Sequence, residues 1–338
     1  MNLELKDYQI TINGSVSRCH CRCKHCALCS GDEKIKEVPF EKLKQLALKF
    51  QGFKERYGID ASLCVYNSSE YVELSEAMEV DEKISFSSGY QNLNGTKIRK
   101  GTELKEWVSY LKACGVTNAN LSWFGESEFH DEFANRKGYF EYLINLAIEL
   151  KSAGIPWNNT VFLLKNSIGQ LEQLTNRLKV FGENIHYALF DYRGNGKTML
   201  DEFLTEKDKA ILPEFIFKTN LFNRNRPENE WIEMIQKNEQ PNLSKRMLFL
   251  VATPDNIDRY IQMTVENILD MFHDIDYKLQ SSIPSIKFLS EAYGNKDNTI
   301  LTDFRSIIWK WIDMHFNNNP QLDKSLLFSD LYTSVMWR

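Results

Sequence analysis

The sequence predicts an α/β protein in which strands and helices alternate. Short apolar runs, which are typical of buried strands, recur through roughly the first 200 residues. Each run is followed by a longer segment in which apolar residues return every three or four positions, the spacing of a helix packed on a sheet. Alternation of this kind favours parallel strands with right-handed crossovers, arranged either as an open sheet or as a barrel.

The first strand and helix follow from apolar spacing and from the residues at the helix ends. Residues 7–13 alternate polar and apolar side chains, as a half-buried strand does. After Pro39 an apolar stripe runs through Leu43 and Phe50 and stops at Gly58. Proline near the start and glycine past the end are typical of a helix. The strand, a cysteine-rich loop and this helix therefore form one unit.

Similar units follow it. The remaining elements are predicted in this order: a strand at 61–66, a helix from Thr102 to Gly115, a strand at 119–123, a helix at 140–147, a strand at 161–164, a helix from Ser167 to Gly182 and a strand at 185–190. Thr102 and Ser167 are predicted as N-caps, because a hydroxyl oxygen can accept the unpaired N–H groups of a first helical turn.

The C-terminal part is predicted to be mostly helical. Helical spacing marks residues 255–272, 285–293 and 302–316, and only residues 247–252 have strand character. The segment 219–245 is rich in Asn, Arg, Glu and Pro, which is typical of a connection. We therefore expect a core domain at 1–200 and a mostly helical region at 201–338, with a boundary between about residues 200 and 245.

Composition and charge exclude several classes of protein. The 338 residues are 43% apolar and 26% charged, which is ordinary for a globular chain. Forty-six acidic against forty-one basic residues leave a net charge of −5, so we expect no nucleic-acid partner. The longest apolar run, residues 247–252, is far shorter than the roughly 20 residues of a membrane span, and no targeting signal is recognisable. We expect a cytoplasmic protein without a membrane partner.

Five of the seven cysteines fall in the loop between the first strand and the first helix. They are Cys19, Cys21, Cys23, Cys26 and Cys29. Thiols this close together in a reducing compartment favour metal ligation over disulfides. Cys64 and Cys114 stand alone in apolar runs, which predicts a position in the core.

Within this loop Cys19, Cys23 and Cys26 have the spacing C-x3-C-x2-C, which resembles the signature of the radical S-adenosylmethionine superfamily. The resemblance implies that three thiolates hold three irons of a 4Fe-4S cluster and that S-adenosylmethionine chelates the fourth. Thiolates are the usual ligands of such clusters, and an iron without a protein ligand can bind a small molecule. The resemblance also implies a partial (β/α)6 TIM-like barrel, extended by the helical C-terminal region.

A zinc-binding module is the alternative for the same loop. Cys23 and Cys26, or Cys26 and Cys29, can supply one half of a four-cysteine site, but the chain has no second C-x2-C pair elsewhere to complete it. Cys21 and Cys29 are additional to the signature. They are either free thiols beside the cluster or residues with a ligand or redox role, and the sequence leaves both possibilities open.

The resemblance implies further cofactor-binding residues. His25 stands before the third signature cysteine, where the superfamily usually has an aromatic ring near the adenine. Phe124-Gly125-Glu126-Ser127 resembles the superfamily's Gly-Gly-Glu-Pro motif in its Gly and Glu, and departs from it in the first Gly and the Pro. Gly125 permits a close backbone approach, and Glu126 can accept a hydrogen bond from an ammonium group. A simple turn is the alternative.

Two residues at the ends of the next strands complete the predicted site. Asn166 and Arg193 follow strands whose ends, in the superfamily, contact the ribose and carboxylate of the cofactor or the substrate. Arg193 can pair with a carboxylate, and a solvated surface loop is the alternative. No catalytic side chain is predicted.

The resemblance implies a reaction as well. A reduced protein donor such as flavodoxin or ferredoxin would pass an electron to the cluster. S-adenosylmethionine would then be cleaved to methionine and a 5′-deoxyadenosyl radical, which takes a hydrogen atom from a peptide or small-molecule substrate. Arg18, Arg22 and Lys24 make the loop locally basic, which suits an acidic donor if these charges are not simply solvated. The alternatives are an activase that installs a glycyl radical on a partner enzyme and a non-enzymatic zinc module.

Overall fold

Two four-stranded sheets form the framework of the computed structural model, which describes residues 8–15, 19–26, 37–66, 70, 73–84, 89–182, 184–243, 246–324 and 336–337. The strands are β1 (Tyr8–Ser15), β2 (Ala61–Tyr66), β3 (Tyr90–Asn92), β4 (Asn118–Trp123), β5 (Trp157–Phe162), β6 (Ile185–Ala188), β7 (Asn225–Arg226), β8 (Arg246–Val251), β9 (Thr302–Asp303) and β10 (Met336–Trp337).

The α-helices lie between and after these strands. They are α1 (Phe40–Leu48), α2 (Phe53–Tyr57), α3 (Leu74–Ile84), α4 (Gly101–Ala113), α5 (Ser127–Ala134), α6 (Tyr139–Ala153), α7 (Leu171–Lys179), α8 (Glu214–Phe217), α9 (Leu221–Arg224), α10 (Glu228–Gln236), α11 (Ile257–Gln262), α12 (Val265–Ser282), α13 (Ile286–Tyr293) and α14 (Phe304–Asn318).

The strands of the two four-stranded sheets pair in parallel, except that β10 pairs antiparallel with β8. One sheet has the order β10-β8-β1-β2 and the other the order β3-β4-β5-β6. β1 places Ile10 opposite Ala61 of β2 and opposite Leu248 of β8, and both pairings are parallel. β4 and β5 also pair in parallel, with Ala119 opposite Trp157. The predicted α/β class, a partial (β/α)6 barrel with a mostly helical C-terminal extension, is confirmed.

The core is built by alternation along the strands and by the apolar faces of the helices. In β4, Ala119, Leu121 and Trp123 are fully buried, and the residues between them are half-buried. Complete burial of a large apolar side chain stabilises the fold by roughly 1.5–3 kcal/mol. Trp309 and Trp311 of α14 are buried in a separate cluster with α10 and α13. The apolar pattern therefore orients each strand and leaves the polar loops at the strand ends to form a site.

Both predicted N-caps are wrong. α4 begins at Gly101, without a side-chain cap, so Thr102 lies inside the first turn. Ser167 lies in a 3-10 turn at Lys165–Gln170 that precedes α7. Its hydroxyl donates to the carbonyl of Leu164 at 3.3 Å, so it closes this turn and caps no α-helix.

Two predicted helices are each divided in the structure. The stripe after Pro39 forms α1 and α2, which are separated at Gly52, where φ is 70° and the backbone is left-handed. The helix predicted at 255–272 is α11 followed by α12. The hydroxyl of Thr264 caps α12 by accepting from the N–H of Asn267 at 3.1 Å. Elements α3 and β3 were not predicted.

The C-terminal region contributes to the first sheet, because β8 lies between β1 and β10. The domain division at about residue 200 stays a prediction. No helix in the described part of the chain is long and apolar enough to cross a membrane.

Candidate functional site

The cysteine loop follows β1 and is fastened by main-chain hydrogen bonds to the end of α5. The N–H groups of Arg22 and Lys24 donate to the carbonyls of Ala134 and Phe133, both at 3.0 Å. α5 directly follows the Gly-Glu turn at the carboxyl end of β4. These bonds therefore hold the cysteine loop on the helix that begins at this turn.

Cys21 interacts with both Cys19 and Cys23. The N–H of Cys21 points to Sγ of Cys19 at 3.4 Å. Gly95 packs against Cys19, and its carbonyl accepts from the N–H of His20 at 2.8 Å. A Cβ added at Gly95 would lie 2.2 Å from Sγ of Cys19, and φ there is +74°. Only glycine permits this approach of the backbone to the thiol.

The buried Cys21 thiol contacts two of the signature cysteines. A hydrogen bond with Cys19 lowers the pKa of Cys21, but a hydrogen bond with Cys23 and burial act the other way and raise that pKa to about 12. Nη1 of Arg136 lies 3.8 Å from Sγ of Cys21. At neutral pH Cys21 is therefore a protonated thiol in this arrangement. Cys29, the other additional cysteine, lies outside the described residues.

The signature cysteines fit an iron–sulfur cluster in number and in chemistry. Cys19, Cys23 and Cys26 are half-buried, and none of the described cysteines is in a disulfide. The N–H of Cys26 donates to the carbonyl of Cys23 at 3.1 Å, which folds this part of the loop into a turn. Within the described residues, no three His, Cys, Asp or Glu side chains stand close enough to hold a metal ion.

The imidazole of His25 lies in an aromatic pocket at the carboxyl ends of β4, β5 and β6. Its ring centroid is 4.5 Å from that of Phe190, 5.0 Å from Phe124 and 5.5 Å from both Phe133 and Phe162. Nδ1 is buried and has no hydrogen-bond partner among the described residues. Burial lowers the pKa of His25 to about 3, so the ring is neutral. A neutral ring with an unused polar atom suits stacking or hydrogen bonding with a heterocycle.

Gly125 and Glu126 form the turn between β4 and α5. The N–H of Glu126 donates to Oε1 of Gln170 at 2.8 Å. A Cβ at Gly125 would lie 2.9 Å from the same oxygen, so glycine makes room for it. The Glu126 side chain is only 14% exposed, and Oε1 accepts from Nε of Arg177 at 3.1 Å. Sequence reasoning missed Gln170 and Arg177, because no local pattern marks partners 44 and 51 positions away.

The other predicted cofactor-binding residues, Ser127, Asn166 and Arg193, show fewer contacts with the described part of the cysteine loop. Ser127 is exposed in the first turn of α5, and Asn166 is exposed after β5. Neither forms a hydrogen bond with the described part of the cysteine loop. Nη1 of Arg193 lies 3.8 Å from Oδ2 of Asp191, and Nη2 of Arg305 lies 3.2 Å from the same oxygen. Arg193 is therefore turned toward a carboxylate of its own chain.

The loop after β6 touches the cysteine loop. The N–H of Asn195 donates to the carbonyl of Cys26 at 3.2 Å. A Cβ at Gly196 would lie 2.8 Å from the carbonyl oxygen of Asp191 and 3.9 Å from that of His25. The structure thus brings Phe124, which precedes the Gly-Glu turn, and the loop after β6 into contact with the described part of the cysteine loop.

The basic residues of the loop are only partly available to a partner. Arg18 lies outside the described residues, and Arg22 is exposed. Nζ of Lys24 pairs with Oε1 of Glu132 at 3.3 Å, on the surface. The described part of this surface therefore has the exposed positive charge of Arg22, and the charge of Lys24 is offset by Glu132.

Comparison with protein-family models gives no match, and comparison with curated proteins gives none either. Solved structures do match. Histidine-tagged anSMEcpe with bound AdoMet is 14% identical, with a TM-score of 0.53, over 94% of this chain and 97% of the other. Native anSMEcpe with bound AdoMet and Cp18Cys peptide is 14% identical, with a TM-score of 0.51, over 94% and 98%. The chain has the fold of anSMEcpe.

Two further structures match at lower scores. Streptococcus suis SuiB bound to precursor peptide SuiA is 13% identical, with a TM-score of 0.45, and the match covers 87% of this chain and 56% of SuiB. This chain therefore spans little more than half the length of SuiB. Coproporphyrinogen III oxidase (HemN) from Escherichia coli, a radical SAM enzyme, is 10% identical, with a TM-score of 0.43, over 92% and 90%. At 14% identity the likeness to anSMEcpe establishes the fold alone, and function has to be argued from the site.

Proposed function

We propose that this protein is a radical S-adenosylmethionine enzyme that acts on a peptide. The observation that carries the proposal is the combination of Cys19, Cys23 and Cys26 in one loop after β1 with the fold of anSMEcpe. Neither half is sufficient alone, because a fold hosts many functions and a cysteine spacing recurs by chance. Together they support a site for S-adenosylmethionine beside three thiols, since anSMEcpe is seen with bound AdoMet.

Each residue of the site then has a physical task. Cys19, Cys23 and Cys26 would hold three irons of a 4Fe-4S cluster. When bound, the cluster supplies the electron for reductive cleavage of S-adenosylmethionine to a 5′-deoxyadenosyl radical. The neutral His25 ring and the phenylalanines around it exclude water, and Nδ1 is available to the adenine. Glu126, largely buried, offers a carboxylate for an ammonium group.

A peptide is the proposed substrate class. anSMEcpe, whose fold this chain shares, is known in complex with AdoMet and the Cp18Cys peptide. The C-terminal region of this chain also forms one wall of a cavity beside β6, close to the loop that reaches Cys26. A reduced flavodoxin or ferredoxin is the proposed electron donor.

Anaerobic purification followed by metal analysis tests this function. The protein is expected to be brown, to bind about four irons per chain, and to form methionine and 5′-deoxyadenosine from S-adenosylmethionine when dithionite is added. Replacing dithionite by reduced flavodoxin or ferredoxin in the same assay checks the donor. A colourless protein that holds one zinc per chain and forms no 5′-deoxyadenosine contradicts the proposal and supports the zinc module.

Glu126→Gln is expected to weaken binding of S-adenosylmethionine by about 1–3 kcal/mol, the usual worth of a charge-assisted hydrogen bond. Iron content should not change, because Glu126 is not a cluster ligand. Glu132→Gln is the matched control: this carboxylate lies on α5, which begins just after Glu126, is 77% exposed and pairs with Lys24. Calorimetric titration gives the dissociation constants. If both variants bind like the wild type, Glu126 serves only the ion pair with Arg177.

A further inference from the structure

A cavity of about 450 Å³ lies along the outer edge of β6. One wall is the segment from Ile185 to Leu189. The facing wall comes from the C-terminal region at 219–221, Arg224, Asn225 and Asp303. Its volume falls in the roughly 300–1,000 Å³ range of ligand-binding pockets. None of the residues proposed above to bind iron or S-adenosylmethionine lines it, so the cavity is distinct from that site.

The outer edge of β6 turns main-chain groups toward this cavity. β6 is the last strand of its sheet among the described residues. The N–H of Leu163, just past β5, donates to the carbonyl of Ala188 at 2.9 Å, so the even-numbered residues of β6 direct their peptide groups to β5. In a parallel strand the N–H and C=O of one residue point to the same side, and those of the next residue point to the opposite side. The peptide groups of Ile185 and Tyr187 therefore face the cavity.

Two neighbouring carboxyl groups, those of Asp191 and Asp303, line the cavity. Oδ1 of Asp303 accepts from the N–H of Ser306 at 3.1 Å, whereas Oδ2 is buried and no N–H group of the described residues reaches it. Asp191 also lines the cavity, and Nη2 of Arg305 lies 3.2 Å from its Oδ2. Burial, and then the charge of Asp303, raise the pKa of Asp191. A hydrogen bond between the two carboxyl groups also raises the pKa of Asp191, so the pair can share a proton. The remaining lone pairs of this acidic pair are acceptors that a ligand with an N–H or an ammonium group can fill.

We infer that this cavity binds an extended peptide, which adds to the sheet as a strand beside β6. The main chain of the peptide pairs with the peptide groups of Ile185 and Tyr187, and one peptide donor, an N–H or a lysine ammonium, reaches Oδ2 of Asp303. Alternating donors and acceptors along a strand edge match another main chain residue by residue, which a compact small molecule cannot do.

The cavity leads toward the cysteine loop. The chain runs from β6 through Asp191 to Asn195, whose N–H donates to the carbonyl of Cys26 at 3.2 Å. A peptide strand along β6 is therefore carried past Asp191 toward the signature cysteines. The inference rests on the proposed function in this respect only, that the bound peptide is the substrate.

Hydrogen exchange tests the mode of binding. The full chain is screened against a library of random heptapeptides, and amide exchange is followed with the peptides that bind. Exchange at Ile185 and Tyr187 is expected to slow by about tenfold or more, because these amides become hydrogen-bonded. β3, at the opposite edge of the same sheet, is the internal control and should not change. Bound peptides that protect neither amide overturn the inference.

Asp303→Asn tests whether the Asp303 carboxylate in the cavity lining binds the peptide. Asparagine caps a helix as well as aspartate does, so α14 keeps its first turn while the charged acceptor is lost. Affinity for the selected peptides is expected to fall by about tenfold or more. Asp313 lies within α14, the helix that Asp303 caps, and pairs with Lys197 at 2.8 Å, so Asp313→Asn should bind as the wild type does. Equal affinity of Asp303→Asn and the wild type overturns the inference.

Two further readouts keep the inference separate from the proposed function and from self-association. A protein that binds iron and cleaves S-adenosylmethionine but no peptide at β6 contradicts the inference alone. A protein that binds peptide at β6 but holds no iron contradicts the proposed function alone. Sedimentation across a concentration series identifies the competing occupant: if exchange at Ile185 and Tyr187 slows on dimerisation without peptide, a second copy of the chain fills the edge and the inference fails.

Discussion

Alanine in place of Cys19, Cys23 or Cys26 is expected to abolish cleavage of S-adenosylmethionine by the dithionite-reduced protein. Two thiolates cannot hold the cluster, so each variant should also lose most of the roughly four irons expected per chain. Iron analysis and chromatographic measurement of 5′-deoxyadenosine check the two effects separately. Loss of cleavage with full iron content would mean that the replaced cysteine acts on the cofactor and not as a ligand.

Cysteines outside the signature provide the controls. Cys64 lies in β2, where burial raises the pKa of its thiol to about 11, and Cys114 follows α4. Serine at either position should leave iron content and cleavage unchanged. Cys21→Ser is the sharper comparison, because this thiol is buried against Cys19 and Cys23. If Cys19→Ala cleaves S-adenosylmethionine fully and Cys21→Ser does not cleave it, then Cys21 rather than Cys19 is the cluster ligand.

The barrel could be predicted because most of its longer strands contain apolar residues at every position or at every second position, as β4 does. β3 escaped prediction because it has only three residues and two of them are exposed, so it has no apolar run. α3 escaped although its buried residues Leu74, Ala77, Val80 and Ile84 do have helical spacing. The N-cap predictions at Thr102 and Ser167 were wrong because a hydroxyl near the start of a helix does not determine which residue begins the helix. That depends on the whole local backbone.

The candidate site could be predicted only where its signal is local. The spacing of Cys19, Cys23 and Cys26 is readable within eight residues, and the Gly-Glu turn within two. The partners of Glu126 come from another strand–helix unit, and the rings around His25 come from four segments of the chain. Sequence periodicity predicts elements but not the register in which distant elements meet, so these contacts required the structure.

Glu228→Ala is expected to lower the free energy of unfolding by about 3–5 kcal/mol, because removing one partner leaves an uncompensated charge in the interior. The Glu228 side chain is fully buried at the start of α10. It accepts from Nζ of Lys310 at 2.8 Å, Nε1 of Trp311 at 2.6 Å and the N–H of Asn295 at 3.0 Å. Glu230→Ala is the control on the same helix. Its carboxylate is 40% exposed and pairs with a partly exposed arginine, so a loss of less than ~1 kcal/mol is expected.

The same carboxylate predicts how stability depends on pH. Burial alone would raise the pKa of Glu228, but hydrogen bonds from Lys310 and Asn298, with others, hold that pKa below its ordinary value. A folded-state pKa below the unfolded value, which is about 4.3 for glutamate, gives stabilisation that is complete above the unfolded pKa. It is lost as the pH falls through the folded-state pKa. Denaturant unfolding between pH 7 and pH 3, followed by tryptophan fluorescence, reports on this cluster because Trp311 belongs to it.

Glu228→Gln has no proton to take up in this range and should be less stable at pH 7 but lose less stability in acid. Parallel acid profiles for the two proteins would mean that protonation of Glu228 is not what weakens the fold.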